Sequence, residues 1–230
     1  MMVKLIAFAL LIALSASAQS LGYYPTLDTA TSTRFSPLVL RLDQDSRVHV
    51  NANFMSTPSG EIDSGMVFKL WDGFDAGFGV HGGLLGGEKA SGILGFDFLF
   101  RYIRPIHEQM FVGVQTQIGY VYSGIGYLPR SVNYGSAFPI TLGVVFGGVV
   151  RESTQVYFYP AVDLGKTANA GDALWKSGIG LQFAIGTAIA ATDSTFWVLE
   201  VQPALTNFTG SESVFQTFRV GLTLGVLFDL

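Results

Sequence analysis

The sequence predicts an all-β protein: a transmembrane antiparallel up-and-down β-barrel, with ten strands as the first reading and eight or twelve as the alternatives. Three observations predict it. Long segments alternate apolar residues with small or polar ones at a period of two. Charge is thin, with 13% Asp, Glu, Lys and Arg against about 25% in soluble domains. Beyond the first residues, no uncharged stretch reads as a spanning helix: the longest, residues 131–150, is interrupted by Asn133, Gly135, Ser136 and Pro139. Within hydrocarbon only helices and closed barrels satisfy every backbone hydrogen bond, so an apolar chain with strands and no such helix points to a barrel.

The N-terminus reads Met1-Met2-Val3-Lys4, then an apolar run from Leu5 to Leu14, then Ser15-Ala16-Ser17-Ala18. A charged start, a short apolar run and an Ala-x-Ala site form a secretory signal, expected to be cleaved after Ala18. The chain has no cysteine. That excludes a lipid anchor at the cleavage site, a disulfide scaffold, and zinc–thiolate or Cys-nucleophile chemistry. The net charge of −4, without a Lys/Arg cluster, argues against nucleic acid as a partner. Residues 19–46 are turn-rich and are expected as a lead-in of uncertain structure, ahead of a barrel at 47–230.

Ten alternating segments are expected as strands, near 47–56, 64–70, 74–86, 91–103, 109–122, 137–150, 154–165, 177–190, 195–206 and 215–230. Short connections (71–73, 104–108, 151–153, 191–194) alternate with longer ones (57–63, 123–136, 166–176, 207–214); only 87–90 departs from that alternation. With the apolar face of each strand toward lipid, Phe78, Phe96, Val114, Ile140, Phe158, Phe183 and Leu199 point outward. Asp75, Asp97, Arg101, Asp163, Glu200 and Arg219 then all fall on the opposite face. A charge at the lipid midplane would cost roughly 2–4 kcal/mol, so the segregation is what a barrel requires. Glycines such as Gly95, Gly119, Gly143 and Gly180 share the inward face and suit a narrow interior.

Local features refine the pattern. Asp72-Gly73 signals a hairpin. A plain two-residue turn would turn Lys69 toward lipid, so a three-residue turn with a left-handed Gly73 is expected, placing Lys69 inward beside Asp75. Pro160 and Pro203 lie inside strands and are expected to cause bulges or early strand ends. Trp71, Tyr102, Trp197 and Phe228 near the short turns, and Phe54, Tyr120, Tyr122 and Phe138 near the other ends, form two aromatic girdles.

The last strand alternates Phe218, Val220, Leu222, Leu224, Val226, Phe228 and Leu230 against Arg219, Gly221, Thr223 and Gly225. Its ending resembles the C-terminal signal of bacterial outer-membrane β-barrel proteins, carried here by Thr223, Gly225, Phe228 and Leu230. Leu230 departs from the usual terminal aromatic. The resemblance implies a bacterial outer-membrane location, short turns in the periplasm, outer-membrane lipid and lipopolysaccharide as surroundings, and recognition by the barrel-assembly machinery. It implies no cofactor.

Function is read less sharply. The hairpin at 87–90 sets Asp75 against Arg101 and His81 against Asp97, one directly and one diagonally. With Lys69 these form an inward cluster, and Glu200 with Arg219 is a second candidate pair. The inward set is nearly charge-balanced. It reads either as a polar constriction of a narrow passive channel or as a paired salt-bridge network filling a membrane-structural barrel. The alternatives are an outer-membrane enzyme, lipid A-modifying or proteolytic, built on His81 and Asp97, and a barrel binding through loops at 123–136 and 166–176. His49 and His107 look isolated, so no metal site is expected. Mass spectrometry of the exported protein should find Gln19 at its N-terminus; an intact Met1 would remove the signal peptide.

Overall fold

The computed structural model describes residues 46–55, 59–85, 91–125, 135–151, 153–168, 175–210 and 214–230. The expected signal peptide, the lead-in up to residue 45 and the tips of the longer loops lie outside them. The strands are β1 (Ser46–Met55), β2 (Ser59–Trp71), β3 (Phe74–Leu85), β4 (Ser91–His107), β5 (Met110–Ile125), β6 (Gly135–Arg151), β7 (Thr154–Ala168), β8 (Trp175–Thr192), β9 (Thr195–Gly210) and β10 (Val214–Asp229). Each pairs antiparallel with its sequence neighbour, and β1 pairs with β10, so the sheet closes into a ten-stranded barrel. The strand count and order agree with the sequence reading. The main shift is at β2, which begins at Ser59, inside the segment expected as a loop. Its polar start (Ser59, Gly60, Glu61) reads as a turn in sequence and is paired as strand in the fold.

The closing seam runs from Arg47↔Asp229 to Met55↔Gly221. It extends past the strand end through Leu230 N–H donating to Ser46 O at 3.1 Å. Along this ladder closure pairs the two end strands, whose edges hydrocarbon could not tolerate open.

The outer face is an apolar belt. Phe78, Phe96, Phe98, Ile140, Phe158, Phe183, Leu224 and many others stand exposed on it. Two hydroxyls there are turned back onto the sheet: Thr116 Oγ1 donates to Thr141 O at 3.1 Å and Thr187 Oγ1 to Gln155 O at 2.9 Å. At the short-turn rim Trp71 stacks on Phe74 with centroids 4.5 Å apart, and Arg104 lies 5.3 Å over the Tyr102 ring.

The inner face is filled. Toward the short turns an apolar cluster packs between the charges, with Val67, Leu99, Ile103, Phe111, Val145, Tyr157, Phe196, Val198 and Leu227 together. Sequence reading missed this, because the inward positions were taken as small or polar. Glycine makes room for the larger inward side chains. Tyr159 lies across Gly143, where an added Cβ would sit 2.6 Å from its Cζ, and reaches Gln115 two strands away. Asp97 lies over Gly119, His81 over Gly95 and Asn51 over Gly225 in the same way. The glycines therefore hold their neighbours' side chains and do not widen a lumen.

Two local expectations are corrected. The first hairpin has a two-residue turn, Asp72-Gly73, because Trp71 pairs with Phe74. The register shifts between Lys69 and Trp71, and this bulge restores Lys69 opposite Asp75. Gly73 has φ +75°, as expected, and its carbonyl accepts from Ile103 N–H at 2.7 Å. The prolines cause neither bulges nor early ends. β7 and β9 run through Pro160 and Pro203 in unbroken register, with a gap in the pairing on one side only: toward β6 for Pro160 and toward β8 for Pro203. A proline lacks one N–H, and that N–H would have pointed at one neighbour alone.

The packing against glycine is testable. Gly143→Ala should lower stability by about 1–3 kcal/mol, the usual cost of overpacking. Gly221→Ala should be close to neutral, since its nearest contact would be an ordinary 3.5 Å to Gln202 Cβ. Urea unfolding in lipid vesicles, followed by tryptophan fluorescence, distinguishes the two.

Candidate functional site

Many of the polar side chains of the interior gather on three stretches of wall. The first lies on β1 to β4. Asp63 stands opposite Asn51 on one side and His81 on the other. Asn51 Nδ2 donates to Asp63 at 2.9 Å, Asn53 Nδ2 donates to its second oxygen, and His49 Nε2 lies 3.1 Å from Oδ1. His81 lies between two carboxylates, with Nδ1 3.6 Å from Glu61 and Nε2 3.5 Å from Asp97. Nearer the short turns, Arg101 Nε donates to Asp75 Oδ2 at 3.1 Å and its terminal nitrogen meets the same oxygen.

The second stretch crosses the seam. Thr223 Oγ1 on β10 donates to Asn53 Oδ1 on β1 at 2.8 Å, and Gln202 on β9 donates to Glu200 and approaches Thr223 at 3.4 Å. A continuous chain of polar side chains thus runs from Asp63 on β2 to Glu200 on β9. At the rim of the seam Arg47 Nε lies 3.6 Å from Asp229. The third stretch centres on Asp163 on β7. It accepts from Thr141 Oγ1 at 2.7 Å, bonds Gln182 and faces the charge of Arg219 from β10, three strands away.

No protein-family model and no curated protein matches this chain in sequence. Solved structures do match. The β-domain of the Bordetella autotransporter BrkA aligns with TM-score 0.51 at 8% identity, over 80% of this chain and 98% of that one. The outer membrane protease OmpT from Escherichia coli aligns with TM-score 0.46 at 7% identity, over 83% and 99%. The NanC porin aligns with TM-score 0.43 at 10% identity, over 80% and 100%. The chain has the outer-membrane β-barrel fold. Identities this low establish the fold alone.

Within this outer-membrane barrel fold the candidate residues fall as follows. Asp75 and Arg101 pair directly in register, and His81 meets Asp97 diagonally. Lys69 stands opposite Asp75, but the carboxylate is taken by Arg101. Glu200 and Arg219 do not share a register position: Glu200 stands opposite Thr223 and Arg219 opposite Ala204. Of the C-terminal residues, Thr223 and Gly225 face inward, whereas Phe228 and Leu230 are exposed.

Sequence reasoning missed Glu61, Asp63 and the role of His49. The two acids lie at the polar start of β2, where pattern suggests loop, and His49 looks isolated until β2 is extended to bring Asp63 beside it. With them, the described inward set holds Glu61, Asp63, Asp75, Asp97, Asp163, Glu200 and Asp229 against Arg47, Lys69, Arg101 and Arg219. The interior is acid-rich, not balanced. No His/Asp/Glu group able to hold a metal occurs among the described residues.

Arg101 is 1% exposed, so removing its partner strands a buried charge. Asp75→Ala should cost about 3–5 kcal/mol of stability. The double variant Asp75→Ala/Arg101→Met should recover much of that loss. A double-mutant cycle in urea measures the coupling, and additive losses would show that the pair acts independently.

Proposed function

We propose that this protein is a closed, non-conducting barrel of the bacterial outer membrane, a membrane-structural protein in preference to a channel. The observation supporting this is the filled interior. Leu99, Val121, Ala137, Val145, Tyr159, Glu200 and Thr206 face inward from five strands and are all 0% exposed. A lumen that conducted ions would wet such positions. The inward charges of Lys69, Asp75, His81, Asp97, Arg101, Asp163, Glu200 and Arg219 then act as a network that fixes the walls to one another, with no constriction role.

The enzymatic alternative has less support. His81 between Glu61 and Asp97 has the residue types of acid–base chemistry, but a catalytic group must come within hydrogen-bond reach of its substrate. At 2% exposure His81 is closed off from one. On this reading the chain is exported through a signal cleaved after Ala18. The barrel-assembly machinery recognises β10 through Thr223, Gly225, Phe228 and Leu230, the same strand that closes the barrel.

Planar-bilayer conductance tests the proposal, using the refolded mature protein and a version lacking residues 19–46. Silence is expected from both. Steady conductance that changes in Arg101→Ala or Asp97→Ala would overturn the reading and make the cluster a constriction.

A further inference from the structure

The outer belt is not uniform. On β4 to β8 it is faced with aromatic rings in contact: Phe96 with Tyr120 at 5.6 Å, Tyr120 with Phe138 at 5.1 Å, and Phe158 with Phe183 at 6.1 Å. Over the closing seam at mid-height the facing is aliphatic and low. Ala52 stands between Ile62 on one side and Leu224 on the other, and Leu224 is followed around the wall by Leu199 and Thr187. The result is an apolar groove of about 520 Å³ crossing β8, β9, β10, β1 and β2. Thr187 keeps it apolar, because its hydroxyl is spent on the Gln155 carbonyl. Trp197 lines the groove toward the short-turn rim and is 61% exposed.

We propose that this groove seats one acyl chain of a phospholipid from the leaflet on the short-turn side. The proposal rests on the barrel standing in a membrane. Hydrocarbon already covers the belt on either side, so the groove is continuous with a lipid interface. A void there would forfeit dispersion contacts along its whole lining. A second barrel is a poor occupant, since two convex walls meet along a line and leave a concavity unfilled. A flexible linear chain follows it. Trp197 sets the direction: an exposed indole with an N–H handle belongs at the headgroup level.

The test uses the full mature chain in phosphatidylethanolamine vesicles doped with a phosphatidylethanolamine that carries a diazirine in mid-chain. After irradiation, adducts are mapped by mass spectrometry. They should concentrate severalfold at Ala52, Ile62 and Leu224 over Phe96, Phe98 and Ile140, which also face outward. Ala52→Phe fills the groove and should bring Leu224 down to the level of Ile140, while heat-shifted gel mobility reports that the barrel is intact. Val226→Phe serves the same purpose should Ala52→Phe fail to fold, and the wild-type map stands without either. Even labelling around the belt would overturn the proposal. So would adducts excluded from the seam together with a dimer in sedimentation, which would give the groove to a second copy. Failure of the protein to float with vesicles would overturn the membrane reading itself.

Discussion

Everything in this fold depends on the pairing of the first strand with the last. β1 is the shortest strand at 10 residues, yet it carries the closing ladder from Arg47↔Asp229 to Met55↔Gly221. Without that ladder two edges would stand unpaired in hydrocarbon, where each unsatisfied backbone group is costly. The seam is reinforced from within. Asn51 and Asn53 hold Asp63 on β2 while Asn53 accepts from Thr223 on β10, so β1 is tied to both neighbours by side chains as well as by backbone. Arg47 with Asp229 and the bond from Leu230 to Ser46 finish the rim.

The interior obeys a second constraint: charges removed from water must be paired. Arg101 has Asp75, Asp163 has Thr141, Gln182 and Arg219, and His81 has Glu61 and Asp97. Two interior relations reach past the adjacent strand. Tyr159 crosses Gly143 to Gln115, and Arg219 acts on Asp163 from three strands away. Ladder bonds fix adjacent strands only. Side chains also relate parts of the wall that the ladders leave apart.

The architecture was legible because a membrane imposes a coarse and regular pattern. Alternation over long strands and the inward fall of Asp75, Asp97, Arg101, Asp163, Glu200 and Arg219 both survive in the fold. The interior was less legible for a physical reason. A residue such as Leu99 or Val145 looks the same in sequence whether it faces lipid or a dry core, and alternation is weak where both faces are apolar. Polar stretches mislead in the opposite direction. Glu61 and Asp63 resemble a loop, since nothing local shows that His49, Asn51 and His81 will receive them. Long-range partners such as Arg219 and Asp163 are invisible to register arithmetic, which relates adjacent strands only. The proline expectation failed because the lost N–H was treated as a break in the strand, when it removes pairing toward one neighbour only.

The seating of large side chains over glycines has an evolutionary consequence. Each such position is half of a unit: His81 with Gly95, Asp97 with Gly119, Asn51 with Gly225, Tyr159 with Gly143. Growth at the glycine demands shrinkage of its partner on the next strand, and loss of the partner leaves a hole where the glycine stands. Lineages of this barrel should therefore drift by joint replacement at these positions, while single changes accumulate on the lipid face, where one apolar side chain can stand in for another.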